Sequence, residues 1–207
     1  STSPRRKELM LRNYQDFKVI QSPFDENTIT SNNPQQLCQL KSSKKGEAVF
    51  INEKMLTISS DTVVSFKGKI FEKPKNPAEA KYFMQQFSEN TVTVYSAASI
   101  FVKNIKNPQK ILDTINKMQF LTQIEIIKHD QYNEISFIGY CEIQFTTIDE
   151  DQITKYINTS EPYDKAGGFG VQSVAAKWIQ GIQGDYYSVV GMPYAAICSV
   201  LDLLLEQ

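Results

Sequence analysis

The chain has 207 residues, enough for one generous domain or two small lobes and too few for a multidomain assembly. Apolar residues make up 41% and aromatics 11%, which excludes global disorder and provides for a sizeable core. Lys plus Arg (22) almost balances Asp plus Glu (23), which argues against a dedicated nucleic-acid binder, and no apolar run approaches the ~20 residues that span a bilayer.

Strand and helix signals alternate along the chain, which predicts an α/β or α+β class. A short helix is expected over 7–14 and a strand over 17–20. Asn33-Pro34 reads as an N-cap followed by proline at the first helical position. Two short β-branched runs, 55–58 and 62–66, flank Ser59-Ser60-Asp61, so Asp61 is expected at or near a strand end. Lys67-Gly68-Lys69 is a hairpin signal, and Asn76-Pro77 opens a second helix reaching about Phe87. A β-rich run covers 91–102. Asn107-Pro108 starts a helical pattern carrying Ile111, Leu112, Ile115 and Met118. Strands are expected over 120–127 and 135–145. Thr147 to Glu150 reads as a capping box before a helix with Ile153, Tyr156 and Ile157 on one face. A glycine-rich loop follows over 161–170, then a strand over 177–182. The segment 184–193 reads as a turn, a strand and a helix start. Pro193 begins a last helix with Ile197, Leu201, Leu204 and Leu205 inward.

The three cysteines, Cys38, Cys141 and Cys198, are widely spaced with no CxxC, which predicts reduced thiols in a cytoplasmic protein. No signal peptide is visible. Asn158-Thr159-Ser160 is then a chance match to a glycosylation sequon. His129 is the sole histidine and sits in a polar stretch, where it is expected to be solvated. Any catalysis therefore falls to carboxylates, lysines or a metal.

Only three arginines occur against 19 lysines, and two are adjacent in Ser1-Thr2-Ser3-Pro4-Arg5-Arg6. Hydroxyls, free backbone N–H groups and guanidinium forks before a helix suit a phosphate; the alternative is a solvated basic tail. Asp61 suits a hard cation or water activation, or is an ordinary strand-terminal acid. Glu26, in Phe24-Asp25-Glu26, is a second candidate ligand or a solvated loop residue. Lys73 lies in Glu72-Lys73-Pro74-Lys75. In Asp164-Lys165-Ala166-Gly167-Gly168-Phe169-Gly170-Val171-Gln172, three glycines let the backbone approach a ligand, Lys165 brings a charge and Gln172 has the donor and acceptor to read a base edge. The spacing matches neither a dinucleotide fingerprint nor a Walker A loop.

Taken together and in order, SxSPRR, FDE, a mid-chain Lys44, DTVV, EKPK, EPxDKAGGFGVQ and GDYYSVVGMP resemble the Maf family of nucleoside triphosphate pyrophosphatases, related in fold to inosine triphosphate pyrophosphatases. The resemblance runs from Ser1 to about Leu205. It implies a single domain over 1–207, an elongated, twisted mixed sheet with flanking helices, and two lobes around a cleft. Residues 103–141 are longer than in compact members and are expected to add a hairpin element.

The resemblance further implies metal-dependent cleavage of a nucleoside triphosphate between the α and β phosphates, with Mg or Mn as cofactor. Asp61 would be the general base, and Glu26 and Asp61 would hold or flank the metal. Ser3, Arg5, Arg6, Lys44, Lys73 and Lys165 would bind phosphates, with Lys41 and Lys45 as alternatives to Lys44. Arg5, Thr62 and Gln172 would set substrate choice. The loop ending in Gln172 resembles the branch acting on dTTP and UTP, in a role clearing the nucleotide pool. A non-catalytic nucleotide-binding regulator of cell division and a pyrophosphatase for purine or modified-purine triphosphates are the alternatives. Nucleic acid and membrane are not expected partners, and a homodimer stays an open expectation. Members usually carry Gly-Ala where this chain has Ser59-Ser60, and a strand before SxSPRR, which is expected to precede Ser1.

Overall fold

The structure is a computed structural model and describes residues 2–53 and 55–206. Helix α1 (Pro4–Leu11) begins earlier than expected, because Pro4 presets the first helical position and the Ser3 carbonyl accepts the Lys7 N–H at 3.1 Å. Arg5 and Arg6 thus lie inside its first turn rather than before it. The strand expected over 17–20 does not form. None of its four residues is buried, so no apolar face anchors a strand there.

Helix α2 (Pro34–Glu53) starts where its cap predicts: the Asn33 carboxamide oxygen accepts from the Gln35 and Gln36 N–H groups at 3.0 and 3.1 Å. Strand β1 (Thr57–Phe66) is one continuous strand, so Asp61 sits near its middle and not at an end. Ser59, Ser60 and Asp61 pair with Ser99, Ala98 and Ala97, small residues that let the polar segment stay in register. The turn Lys67-Gly68, with φ of 47° and 73°, joins β1 to β2 (Lys69–Phe71) as a tight hairpin.

Helix α3 (Pro77–Phe87) has the expected bounds, with the Asn76 side chain accepting the Glu79 N–H at 2.9 Å. Strand β3 (Thr91–Val102) and helix α4 (Pro108–Ile115) follow. Strand β4 (Leu121–Lys128) turns back on β5 (Asn133–Phe145). Helix α5 (Glu150–Ile157) starts two residues later than a Thr147 cap would place it. Asp149 holds the cap position, and the Thr147 hydroxyl instead donates to Glu89 at 2.8 Å. Strand β6 is Ile179–Gly184. The strand expected within 184–193 is a short helix, α6 (Tyr186–Val190), because the Asp185 carboxylate accepts from the Tyr187 N–H and nucleates a helical turn over the β-branched pair. In α7 (Tyr194–Leu205), Ile197 and Leu201 are buried as expected, whereas Leu204 is partly covered and Leu205 is exposed.

The sheet has the order β2-β1-β3-β5-β4, with β6 also on β5. β4 pairs with 133–139 of β5 and β6 with 141–145, so the two share one edge of β5 end to end. Each of these pairings is antiparallel, whereas the resemblance implies a mixed sheet. Helix α2 covers one face over Val63, Ala97 and Ile138. The opposite face carries two apolar clusters at its two ends. One joins Phe71, Phe83, Phe87, Phe145 and Phe169 with α3 and α5; the other joins Ile100, Phe137 and Leu9 with α4 and α7. Edge-on ring pairs such as Phe71–Phe83 (4.9 Å) and Phe145–Phe169 (5.0 Å) contribute about 0.5–1.5 kcal/mol each beyond burial.

His129 lies in the β4–β5 turn but is not simply solvated. Its ring stacks on Tyr132 at 4.3 Å and its Nε2 is 3.7 Å from the buried Glu134 carboxylate.

Candidate active site

A cleft of about 1290 Å³ opens along the outer edge of β1. β2 pairs only with Val64, Ser65 and Phe66, so among the described strands none flanks the outer edge of 57–63. Strand alternation then sends Asp61 to the α2 face and its neighbour Thr62 to the opposite face, both at the cleft.

On the α2 side, Lys45 reaches two carboxylates at once. Its Nζ lies 2.9 Å from Glu26 Oε2 and donates a short hydrogen bond to Asp61 Oδ1. Close approach of α2 to the sheet makes this geometry available. A Cβ at Gly46 would stand 2.3 Å from the Phe101 ring and 2.3 Å from Ser59 Oγ, so a larger residue there would push the helix away. Lys44, the residue placed here by sequence, turns outward onto Glu47 at 2.8 Å and does not line the cleft. Lys41 is buried and paired with Glu72. Lys41 and Lys45 are four apart and share a helix face; Lys44, three from Lys41, is set apart by its outward pairing with Glu47 and not by spacing. Lys73 is exposed at the cleft near Glu26. Burial pushes the Glu26 carboxyl up, but the charges of Lys45, Lys73 and Lys41 outweigh it and hold the group below its usual value.

On the other side, Arg6 Nε donates to the Gly191 carbonyl at 2.7 Å and Nη2 donates to Thr62 Oγ1 at 3.1 Å. Burial draws the guanidinium below its ordinary value, and the nearby Asp61 carboxylate opposes this. Arg5 points to the glycine-rich segment, donating from Nη1 to Asp164 Oδ2 at 2.8 Å and from Nη2 to the Asp164 carbonyl at 3.1 Å. Lys165 joins the same acid, with Nζ 2.7 Å from Asp164 Oδ1 and 3.2 Å from Glu161 Oε2. The backbone turns here through Gly167 and Gly168, with φ of 67° and 71°, and the Gly167 N–H donates to the Glu72 carbonyl at 3.0 Å. Ser3 and the exposed Gln172 also line the cleft.

Thus Ser3, Arg5, Arg6, Glu26, Asp61, Thr62, Lys73, Lys165 and Gln172 come together, and Lys44 does not. Sequence reading missed the Gly191 carbonyl, a backbone group with no side-chain signature, and the clasp role of Asp164, whose partner Arg5 lies 159 residues away. Among the described residues, no group of three or more His, Cys, Asp or Glu converges to hold a metal. Glu26 and Asp61 nevertheless form an all-oxygen pair already gathered on one cation, the Lys45 ammonium. That donor set fits a hard divalent ion whose other ligands are water and phosphate oxygens.

The family model described as Maf-like protein matches residues 1–204. The chain is 36% identical over 197 residues to the dTTP/UTP pyrophosphatase of Clostridium novyi (strain NT), covering 93% of this chain and 89% of that protein. It is 32% identical over 206 residues to the dTTP/UTP pyrophosphatase of Clostridium perfringens (strain 13 / Type A), covering 98% and 93%. The dTTP/UTP pyrophosphatase of Bacillus cytotoxicus is 32% identical over 198 residues, covering 95% and 89%. The match over almost the whole length, together with the assembled SPRR, DTVV and DKAG segments, is decisive: the chain belongs to the Maf family.

Proposed function

We propose that this protein hydrolyses nucleoside triphosphates, with dTTP and UTP as preferred substrates, to the monophosphate and pyrophosphate. The observation that carries the reading is the gathering of Glu26 and Asp61 on Lys45, next to Arg6 and Thr62, in one cleft rimmed by cations. The curated relatives bear the matching name.

A triphosphate carries about four negative charges near neutral pH, and phosphoryl transfer asks mainly for positioning and charge neutralisation. Arg5, Arg6, Lys45, Lys73 and Lys165 supply that charge along the cleft. Ser3 adds a hydroxyl at the start of α1. Asp61 takes a proton from water as the water oxygen bonds to the α phosphorus. The bond from that phosphorus to the α–β bridging oxygen breaks, and pyrophosphate departs with its electron pair. A Mg or Mn ion held by Glu26 and Asp61 would neutralise phosphate charge and lower the pKa of bound water. Neither a histidine nor a covalent nucleophile is needed. Gln172 supplies a donor and an acceptor for a base edge.

No helix among the described residues is long and apolar enough to cross a membrane. We place the activity in the cytoplasm, acting on the free nucleotide pool. The test is product analysis over canonical and modified nucleoside triphosphates, with Mg, with Mn and with chelator. Pyrophosphate release that needs the metal and is fastest with dTTP or UTP is expected. Activity confined to purine triphosphates would overturn the substrate assignment, and bound but uncleaved nucleotide would overturn the enzymatic one.

A further inference from the structure

The register of the sheet aligns Thr62 of β1, Ser96 of β3 and Gly139 of β5 in one cross-strand row, on the face opposite α2 and between the two apolar clusters. Helix α6 sits on this row. A Cβ at Gly139 would stand 2.2 Å from Ser188 Oγ and 2.9 Å from Asp185 Oδ2, so the row is recessed to receive the helix. Ser96 and Ser188 are fully buried, and Ser96 does not line the cleft.

Proton counting along this row has one satisfactory solution. Ser96 Oγ lies 2.7 Å from the Ser188 carbonyl oxygen and 2.6 Å from Thr62 Oγ1. A carbonyl has no proton to give, so Ser96 donates to Ser188 and its only proton is committed. The proton between Ser96 and Thr62 must then come from Thr62. Thr62 Oγ1 is left as an acceptor, taking the Arg6 Nη2–H at 3.1 Å with a lone pair still available. The Gly191 carbonyl keeps two donors, Arg6 Nε at 2.7 Å and Ser60 Oγ at 3.1 Å, one for each lone pair. In the reverse order Ser96 would donate to Thr62 and Thr62 to Gly191 at 3.1 Å. That order strips the buried Ser188 carbonyl of the Ser96 donor and crowds three donors onto Gly191, and a buried acceptor left without a donor is costly.

We propose that Ser96 is a positioning residue for substrate choice. It fixes the Thr62 hydroxyl proton away from the cleft, so that Thr62 presents an acceptor to the bound nucleotide and favours a base with a ring N–H. The inference rests on the nucleotide reading of the cleft and names the chemistry by which uracil and thymine, whose N3 carries a proton, are told from cytosine, whose N3 does not.

Two measurements test it. Neutron diffraction of the unmodified protein locates the Thr62 hydroxyl deuteron and needs no activity. A deuteron on the Ser96 side is expected, and one on the Gly191 side overturns the proposal. Steady-state kinetics of Ser96→Ala with UTP and CTP supplies the second. Freed from Ser96, the Thr62 hydroxyl can turn its proton, so the ratio of kcat/KM for UTP over CTP should fall by about tenfold. An equal loss on both substrates would mark Ser96 as merely structural and overturn the proposal. If the parent protein releases no pyrophosphate at all, the functional reading fails, and the neutron measurement still decides the proton order.

Discussion

Arg5 and Asp164, 159 residues apart, form a two-pronged clasp in which one guanidinium meets both the carboxylate (2.8 Å) and the carbonyl (3.1 Å) of the same residue. With Lys165 on the other carboxylate oxygen, Asp164 occupies two of the cations expected to meet phosphate. A triphosphate has to compete with it. Asp164→Asn keeps an oxygen for Arg5 and removes the competing charge. Asp164 is more than half exposed, so solvent screening keeps the effect to about 1 kcal/mol, or about fivefold tighter nucleotide binding at low salt. Titration calorimetry with a non-hydrolysable triphosphate checks this, and weaker binding by the variant would contradict it.

Lys45 and Lys44 are neighbours with opposite fates. Lys45→Met should lower kcat/KM on the order of 10²-fold, since it removes the cation shared by Glu26 and Asp61. Lys44→Met should leave kcat/KM within about twofold, because its exposed pair with Glu47 is energetically minor. Equal losses in the two variants would break the assignment.

Glu134 makes stability depend on pH. Burial pushes its carboxyl above the ordinary value, overcoming the hydrogen bonds from Ser99 and Ser43 and the charge of His129. A raised carboxyl pKa means that the native state holds the proton more tightly than the unfolded state. Stability from this residue is therefore full below the unfolded pKa and is lost as pH rises through the folded one. Glu134→Gln should raise the melting temperature at pH 7, and the gain should vanish near pH 4. A lower melting temperature for the variant at pH 7 would contradict the sign.

Local signals in the sequence were the ones that could be read. Asn-Pro pairs at 33–34, 76–77 and 107–108 carry their own caps, and each opens a helix as expected. The continuity of β1 was hidden, because the partners that hold Ser59 to Asp61 in register lie on β3, about forty residues away in sequence. Segment 17–20 has strand composition but no buried face, and composition alone cannot report that. Most of the candidate site was legible as motifs, in that Asp61, Thr62, Arg6 and Lys165 all line the cleft. The meeting of Lys45 with Glu26 and Asp61 depends on how closely α2 approaches the sheet at Gly46, which is a tertiary fact.

Gln172 is exposed at the cleft, where its carboxamide can offer both a donor and an acceptor. Gln172→Ala should narrow the preference for dTTP and UTP over other triphosphates by about tenfold, with the melting temperature unchanged. An unaltered ranking in a competition assay would remove Gln172 from substrate selection.

Asp61→Asn should leave the circular dichroism spectrum unchanged and lower turnover by about 10²-fold or more, as loss of a general base does. The central claim is that water attacks the α phosphorus, and hydrolysis in ¹⁸O-labelled water tests it most directly. The account predicts that the label appears in the nucleoside monophosphate and that the pyrophosphate is unlabelled. Label in the pyrophosphate, or release of orthophosphate in its place, would contradict it.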